Sequence, residues 1–430
     1  RTEASSRYEK GLDMMNTIKA VERACELVEL LGCGEVMRGT IDVLPEPIVP
    51  KTVKLEPDKV NGLLGTDVSE VEMRRILLAL GFALDGDTII VPSWRGDVEH
   101  YSDIAEEIAR FYGYNNIPCT LMRGQTTSGG YTDAQKAERS IGVMARALGY
   151  SEIITYSFIS PSYYDKIRLP ADSPLRNSMK ILNPLGEDTS IMRTTILPSM
   201  LEILTRNYNY RNKAVRLYEI GKVYFARPDG MADEPKLLCL GGYGGMDFFQ
   251  LKGAVERIIA GLRISDVTFE SESENPSYHP GRCARVYAGG KLLGVLGQIH
   301  PLAAANYGVD AELYTAELQL DGMLAARGVT PVYTPLPRFP AVTRDVAIVC
   351  SADIPVAKLS ACILAAGGQY LKGCELFDVY TGAPIPAGYK SVAFSLTLRA
   401  DDQTLTDDHA EETMQSVLKA LKETFNATIR

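Results

Sequence analysis

The sequence has few or none of the residues, apolar runs and motifs that mark several protein classes. It contains only four histidines and one tryptophan, and no apolar run approaches the roughly 20 residues that a bilayer crossing requires. It has no H-E-x-x-H, G-x-S-x-G or G-x-x-x-x-G-K-S/T motif, the signatures of zincins, α/β-hydrolases and P-loop enzymes. It begins at Arg1 without a methionine or a signal-like apolar segment. We therefore expect a cytoplasmic protein without membrane contact, cut from a longer chain.

The cysteine content and the net charge argue against further classes of protein. None of the eight cysteines forms a C-x-x-C pair, which disfavours a zinc ribbon. Their wide spacing favours reduced, mostly buried thiols over a disulfide framework. The net charge of −9 argues against a protein that coats nucleic acid indiscriminately, although it leaves room for a local RNA-binding surface.

Pattern changes divide the chain into four blocks, which together predict a multidomain α+β protein. Residues 1–50 hold one amphipathic helix and then a proline-rich linker. Residues 51–121 begin with a strand, TVKLEP, and continue with a helix that Ser69 caps. A hairpin that turns at Asp85-Gly86 and a helix capped by Ser102 follow. Two helices around a hairpin in so short a block suggest a small winged-helix-like module.

The second half of the chain has the patterns of two further domains. Residues 122–328 carry strand-like runs with hairpin turns and interspersed helices, which predicts a largely antiparallel α+β domain. The runs are EIITYSFI, KILNPL, VRLYEIGKVYF, KLLCLGGYG and ARVYAGGKLLGVLGQI. The glycines around Gly244 do not match G-x-G-x-x-G and are interpreted as a loop rather than a phosphate cradle. Residues 329–430 alternate strand, helix, strand, strand, helix, strand, the βαββαβ order of a ferredoxin-like domain.

Four carboxylates gather around the start of the last helix of the second block. Asp103 is three residues from Glu106 and four from Glu107, so the three share one sector of the helix, and Asp97 precedes it. Such a cluster fits a hard cation such as Mg²⁺, which takes oxygen ligands. Acidic residues in a first helical turn also favour the helix dipole without a metal. From the residues alone, both interpretations stay open.

Motifs from all four blocks resemble those of one family. PSWRGDVEHYSDIAEEIARFYGYNNIP in the second block is similar to a signature of bacterial-type phenylalanine–tRNA ligase beta subunits. The other motifs follow in the order found in that family: RYEKGLD in the first block, ILNPLGEDTSIMRTTILPSMLE, VRLYEIGKVYF and HPGR in the third, and RFPAVTRDVAIV, LFDVYTG and TLTDDHAEE in the fourth. The resemblance covers essentially the whole chain and corresponds to the C-terminal part of such a subunit.

The resemblance implies a role for each block. The first would be the end of an editing-type domain plus a linker, the third a class II catalytic-like domain, and the fourth an anticodon-binding-type domain. The implied partners are an alpha subunit, in an alpha2beta2 heterotetramer, and tRNA(Phe). ATP would be bound by the alpha subunit. The family's magnesium pattern is matched at Asp97, Asp103, Glu106 and Glu107, which implies a Mg²⁺ site shared with the alpha subunit.

The chain lacks the arginines with which class II ligases hold ATP, so we expect no catalytic residue in it. Neutralising the phosphates as pyrophosphate leaves requires fixed arginines and Mg²⁺. VRLYEIGKVYF ends in Tyr224-Phe225 rather than in an arginine, and DFFQLKGAVERI lacks the glycine run of the second arginine motif. The remaining arginines of the third block are interpreted as surface residues or structural ion pairs: Arg193, Arg206, Arg216, Arg257 and Arg282.

RNA contact in the last block is implied by the resemblance alone, because that block has slightly more acids than bases. The candidates are Arg344, Lys390 and Arg399. Trp94 is interpreted as a core anchor beside the hairpin rather than as a base-stacking residue. Two alternatives remain: a stand-alone RNA-binding or regulatory paralogue without ligase activity, and a ligase that acts without an alpha subunit.

Overall fold

The computed structural model describes residues 2–328 and 331–430. Arg1, Val329 and Thr330 lie outside the described residues, and the predicted boundary between residues 328 and 329 falls at one of them, Val329. The chain divides into two compact units, Arg1–Gly129 and Gly130–Arg430. In the described ranges, no helix combines the length and apolar composition needed to cross a membrane.

The first unit consists of helices around a small three-stranded sheet. Its elements are α1 (Glu3–Glu9), α2 (Asn16–Leu30), β1 (Thr52–Lys54), α3 (Pro57–Leu64), α4 (Glu70–Ala79), β2 (Ala83–Asp85), β3 (Thr88–Ile90) and α5 (Tyr101–Tyr112). The sheet order is β1-β3-β2, antiparallel throughout. Its core joins side chains of α3, α4 and α5, for example Val60, Leu77 and Ile108. Helices α1 and α2 bury no residue, so the apolar stripe of α2 faces solvent.

Several details of this unit can be compared with the sequence predictions, and two of them differ in the structure. Ser69 caps α4 by accepting the N–H of Glu72 at 3.3 Å. The hairpin turns at Gly86-Asp87, one residue later than predicted, because Asp85 still pairs with Thr88 and Gly86 supplies the positive φ of 58° that the turn needs. Trp94 is 59% exposed, so its interpretation as a core anchor is wrong.

The second unit begins with a domain built on a seven-stranded sheet. Its elements are α6 (Asp133–Ala147), β4 (Ser151–Glu152), β5 (Phe158–Ile159), α7 (Ser162–Lys166), β6 (Ile191–Met192), α8 (Leu197–Asn209), β7 (Val215–Lys222), β8 (Phe225–Ala226), β9 (Ala232–Asp233), β10 (Lys236–Tyr243), α9 (Phe248–Gly261), β11 (Val267–Ser271), β12 (Tyr278–Ala288), β13 (Lys291–Ile299), α10 (Pro301–Asn306), β14 (Tyr314–Gln319) and α11 (Leu320–Ala325). The order is β11-β12-β13-β14-β10-β7-β4. Every pairing is antiparallel except β4 with β7.

Helices cover both faces of this sheet, because successive residues of each strand face opposite sides. Leu238 and Leu240 of β10 pack with α6 and α9 in one core. Cys239 packs with α8 in the other. Gly241 lets α8 approach closely, since a Cβ there would lie 2.6 Å from the sulfur of Met200.

Two predicted strands of this domain are mostly irregular. EIITYSFI contributes only the two-residue strands β4 and β5, and KILNPL contributes only an isolated bridge between Lys180 and Ile191. The other runs form strands as predicted. All eight cysteines are free, and the expectation of mostly buried thiols is wrong, because only Cys239, Cys283 and Cys350 are buried.

The last domain has the predicted βαββαβ order. Its elements are β15 (Val342–Ser351), α12 (Val356–Ala366), β16 (Leu371–Tyr380), β17 (Tyr389–Leu398), α13 (Asp407–Phe425) and β18 (Thr428–Ile429). The antiparallel sheet has the order β16-β17-β15-β18. Phe394 of β17 and Val417 of α13 are fully buried in the core between the sheet and its two helices. The ferredoxin-like arrangement is therefore confirmed, and β16 is left as an edge strand.

Candidate functional site

The acidic cluster lies where the chain enters α5. The helix buries Ile104 and Ile108 against the core of the first unit. Its N-cap is His100 and not the predicted Ser102, because the His100 ring accepts the N–H of Ser102. The helix ends at Gly113 as predicted. The four carboxylates are thus held by the first turns of a well-anchored helix and by the loop before it.

Glu107 is the most enclosed of the four carboxylates, with 6% of its side chain exposed. Its Oε1 accepts a hydrogen bond from Nη2 of Arg95 at 2.9 Å, and its Oε2 accepts one from Nη2 of Arg110. Burial opposes the ionisation of Glu107, but the two arginines outweigh burial and hold its pKa below the ordinary value. Glu107 is therefore a carboxylate already neutralised by two cations.

The other two engaged carboxylates are Asp97 and Asp103. Two guanidinium nitrogens of Arg95 donate to Asp97: Nε to Oδ1 at 2.9 Å and Nη2 to Oδ2 at 2.6 Å. This contact lowers the pKa of Asp97. Oδ2 of Asp103 accepts the backbone N–H groups of Glu99 at 2.8 Å and His100 at 2.7 Å. These N–H donors lower the pKa of Asp103, which acts as the acidic half of a capping box.

The cluster as folded does not fit a magnesium ion. Arg95 joins Asp97 to Glu107, whereas Glu106 is exposed to solvent on another side of the helix. A Mg²⁺ ion bound to Glu107 would have to displace two guanidinium groups or share its oxygens with them. In the part of the chain that the structure describes, no three His, Cys, Asp or Glu side chains are arranged to hold a metal. The magnesium site stays a prediction from the family resemblance.

A buried ion pair lies on the face of the seven-stranded sheet that α8 covers. Arg193 donates from Nη2 to Oε1 of Glu219 at 2.9 Å, from Nη1 to the hydroxyl of Thr155 at 2.7 Å and from Nε to the carbonyl of Lys222 at 2.9 Å. Thr155 in turn donates to Oε2 of Glu219 at 2.7 Å. Three guanidinium nitrogens of Arg193 are thus occupied inside the fold.

A groove of about 780 Å³ opens beside this pair and is lined by several carboxylates. Glu317 accepts the N–H of Ile196 at 2.6 Å and the hydroxyl of Thr195 at 2.9 Å, at the start of α8. Burial raises the pKa of Glu317. Glu272, also on the groove, is ion-paired with Arg285. The groove therefore presents acidic groups and already paired cations, which disfavours an anionic nucleotide.

The three candidate RNA-binding cations of the last domain occupy different surroundings. Arg344 is 39% exposed and pairs with Asp407 at 3.0 Å. Lys390 is buried, and its ammonium donates to the carbonyls of Ala352 and Ile354. Arg399 is half-buried, and its Nε is enclosed without a hydrogen-bond partner among the described residues. The structure thus leaves one of the three, Arg344, clearly available at the surface.

Comparisons with known proteins agree along the chain. Three family models match: "tRNA synthetase B5 domain" at residues 53–114, "Phenylalanyl tRNA synthetase beta chain CLM domain" at residues 117–320, and "Ferredoxin-fold anticodon binding domain" at residues 337–430. Proteins named phenylalanine–tRNA ligase beta subunit are similar over the whole of this chain. Those of Clostridium tetani and Clostridium acetobutylicum are 42% and 41% identical to it, and that of Bacillus subtilis is 35% identical. The chain belongs to the phenylalanine–tRNA ligase beta-subunit family.

Membership in the beta-subunit family confirms the resemblance drawn from the motifs. The chain spans about 55% of the length of each of these relatives. The acidic cluster lies within the B5 match, and the pair of Arg193 with Glu219 lies within the CLM match. The finer predictions, a winged-helix-like second block, a class II ligase-like third block and the boundaries between the blocks, stay predictions.

Proposed function

We propose that this chain is the non-catalytic part of a phenylalanine–tRNA ligase and supports ATP-dependent attachment of phenylalanine to tRNA(Phe). It does so by packing against an alpha subunit that holds the active site, and by contacting the tRNA. The expected assembly contains two alpha and two beta subunits, and the alpha subunit binds the ATP. The setting is the cytoplasm, where this reaction serves protein synthesis.

The buried ion pair between Arg193 and Glu219 is the observation that supports a non-catalytic role. A ligase active site needs unpaired cations that face the nucleotide. Arg193 is 2% exposed and is bound to a carboxylate, a hydroxyl and a carbonyl. The neighbouring groove adds carboxylates rather than free cations. The sheet therefore serves as a scaffold in this proposal and not as a site for ATP.

An exposed apolar rim supports the packing role. Four large side chains on the segments that precede β5 and β6 are 81% exposed or more, and we call them the β6 rim: Ile154, Tyr156, Leu182 and Leu185. Exposed apolar groups concentrated in one region mark protein interfaces. We assign the alpha subunit to this rim.

Magnesium at the acidic cluster is proposed only for the complex with the alpha subunit. Arg95 and Arg110 would have to release Asp97 and Glu107 before these oxygens could bind a cation. Leaving the half-buried guanidinium of Arg95 without partners is unfavourable unless another surface supplies new acceptors. A partner subunit is the natural source of those acceptors, which agrees with a shared site.

Contact with tRNA is assigned to the last domain. Its edge strand β16 exposes aromatic side chains, with Phe377 at 58% and Tyr380 at 38% exposure. Exposed aromatic rings on a sheet are platforms on which RNA bases stack. Arg344 adds a surface cation in the same domain.

The exchange of pyrophosphate into ATP in the presence of phenylalanine tests the proposal. We expect no exchange with the chain alone, co-purification of the chain with an alpha subunit, and exchange only when the alpha subunit is present. Robust exchange by the chain alone would overturn the non-catalytic role and favour a self-sufficient ligase. Failure to associate with any alpha subunit would favour the stand-alone paralogue.

A further inference from the structure

The turn between α8 and β7 carries a concentration of cations. Residues 203–218 contain four basic side chains and no acidic one, in a chain whose net charge is −9. We call the four the basic turn: Arg206, Arg211, Lys213 and Arg216. Arg211 and Lys213 are exposed, as is Arg206. Arg216 is half-buried and reaches the carbonyl of Gly245 at 3.4 Å.

These cations are not neutralised by the fold. Across residues 2–328 and 331–430, no carboxylate forms an ion pair with any member of the basic turn, whereas Arg193 and Arg282 of the same domain are both paired. A cation in the last turn of a helix favours the helix dipole, which accounts for Arg206. Lys213 and Arg216 lie beyond the helix, so the dipole does not account for them.

The basic turn borders a groove of about 710 Å³. Arg211 and Lys213 line it together with Gly244 and Gly245. A Cβ on Gly244 would lie 2.0 Å from the carbonyl of Lys213, so glycine is required for the two segments to meet.

Among the described residues that line this groove, Glu312 is the one carboxylate, and it is already engaged. Glu312 accepts hydrogen bonds from Arg282 at 2.8 Å and from the hydroxyl of Tyr314 at 2.6 Å. These two donors hold the pKa of Glu312 below its ordinary value. The net field of the groove is therefore positive and suits an anion.

Aromatic and amide side chains between the cations favour RNA over an acidic protein. Tyr210 is 77% exposed, and Asn209 beside it is exposed as well. Arginine matches phosphate with paired donors, and a free tyrosine ring stacks on a base. An acidic peptide would use the cations but would leave the exposed ring without a role.

We propose that the basic turn and its groove form a second RNA-binding surface, which holds the phosphate backbone of tRNA outside the anticodon-binding domain. The proposal rests on the proposed function, because it extends tRNA contact from the last domain to the sheet domain. Arg211 and Lys213 contact phosphates, and Tyr210 stacks on an unpaired base.

Salt-dependent binding of a tRNA(Phe) transcript to the complete 430-residue chain tests this surface. The variant Arg211→Gln/Lys213→Gln is expected to weaken binding and to reduce the slope of log affinity against log salt by about 1.5, since each lost phosphate contact changes it by roughly 0.7–0.9. Arg257→Gln/Lys291→Gln removes the same charge from exposed positions of the same domain and is expected to keep the slope. Tyr210→Ala is expected to weaken binding about tenfold at an unchanged slope, because stacking releases no counterions.

The outcomes separate this inference from the proposed function. If the unmodified chain binds tRNA(Phe) and both double variants have its slope, the basic turn is not an RNA surface, although tRNA contact elsewhere stands. If polyglutamate competes as well as RNA and loses affinity in the same variant, the surface binds an acidic protein instead. If the chain binds no tRNA(Phe), alone or with an alpha subunit, both the basic-turn surface and the tRNA contact in the proposed function are wrong. Equal melting temperatures of the variants exclude unfolding as the cause.

Discussion

Arg193 donates to Glu219 across 2.9 Å in the interior of the sheet domain, where the two side chains are 2% and 3% exposed. The pair joins the irregular segment before α8 to strand β7, which lies next to the edge strand β4. A buried ion pair adds little net stability compared with apolar residues, but each member is costly to leave alone. Arg193 therefore serves the fold of the sheet domain.

Removing one member of this pair should destabilise the second unit. We expect Arg193→Met to lower the free energy of unfolding by about 3–5 kcal/mol, since it leaves Glu219 buried without its cation. Arg193→Met/Glu219→Leu should recover part of that loss. Urea unfolding followed by circular dichroism measures both, with Arg257→Met as an exposed control in the same domain. A single variant as stable as the control would show that the pair does not form.

At acidic pH, Glu107 should lose its contribution to the stability of the first unit. Its pKa is lower in the fold than the ordinary 4.5, so the ionised form stabilises the fold fully above pH 4.5. That stability is lost as the pH falls through the folded-state pKa, below 4.5. We expect Glu107→Gln to cost about 1.5–3 kcal/mol at pH 7, the range for hydrogen bonds to charged groups, and progressively less in acid.

The fluorescence of Trp94 is a convenient readout for this experiment. It is the single tryptophan of the chain and lies in the same unit as Glu107. Glu106→Gln is a matched control, because it makes the same substitution on the same helix at an exposed position. Equal losses for the two variants at neutral pH would contradict the arginine contacts of Glu107.

Local sequence patterns predicted most helices and strands. Contacts between residues distant in sequence determined which apolar runs actually form strands. The βαββαβ order could be predicted because each strand and helix of the last domain has its own period of apolar residues. KILNPL has a strand-like composition but makes only one bridge, and Leu182 and Leu185 within it are exposed. Apolar composition shows which residues favour burial, whereas strand formation also needs a neighbouring chain to supply hydrogen bonds.

The same limit applies to the candidate site. Spacing on α5 placed Asp103, Glu106 and Glu107 in one sector, but it could not show that Glu106 would be exposed and that Arg95, twelve residues before Glu107, would bind both Glu107 and Asp97. The path of the loop determines that contact. Likewise, Arg193 and Glu219 are 26 residues apart, and nothing in the spacing marks them as partners. Lys390 appeared as a surface cation in the sequence because composition does not reveal which face of a strand is covered.

Chelation should leave the isolated chain unchanged. Arg95 and Arg110 already neutralise Glu107, and Arg95 neutralises Asp97, so the first unit does not need Mg²⁺ to balance these charges. We expect the melting transition seen by Trp94 fluorescence to be the same in EDTA and in millimolar Mg²⁺. A rise of the melting temperature with Mg²⁺ that disappears in Asp97→Asn would instead indicate a preformed site.

Charge placed on the β6 rim should prevent assembly without unfolding the chain. Leu182 and Leu185 are 95% and 101% exposed, so Leu182→Glu/Leu185→Glu disturbs no internal packing. We expect loss of co-purification with the alpha subunit and an unchanged melting temperature, because burying two carboxylates in an apolar interface is costly. Met231→Glu/Leu302→Glu makes the same change at other exposed apolar positions of this domain. Retained assembly in the rim variant would exclude this face as the interface.

Lys390 and Arg344 should separate stability from RNA binding in the last domain. The ammonium of Lys390 bonds the carbonyls of Ala352 and Ile354, so Lys390→Met leaves two acceptors unpaired and is expected to cost about 1.5–3 kcal/mol of stability. Its affinity for tRNA(Phe), measured well below the melting temperature, should not change.

Arg344→Gln removes a surface cation instead, and it should reduce the slope of log affinity against log salt by about one with little change in stability. Lys419→Gln, on the exposed side of α13, controls for charge alone. An Arg344→Gln variant with the slope of the Lys419→Gln control would show that Arg344 does not contact a phosphate.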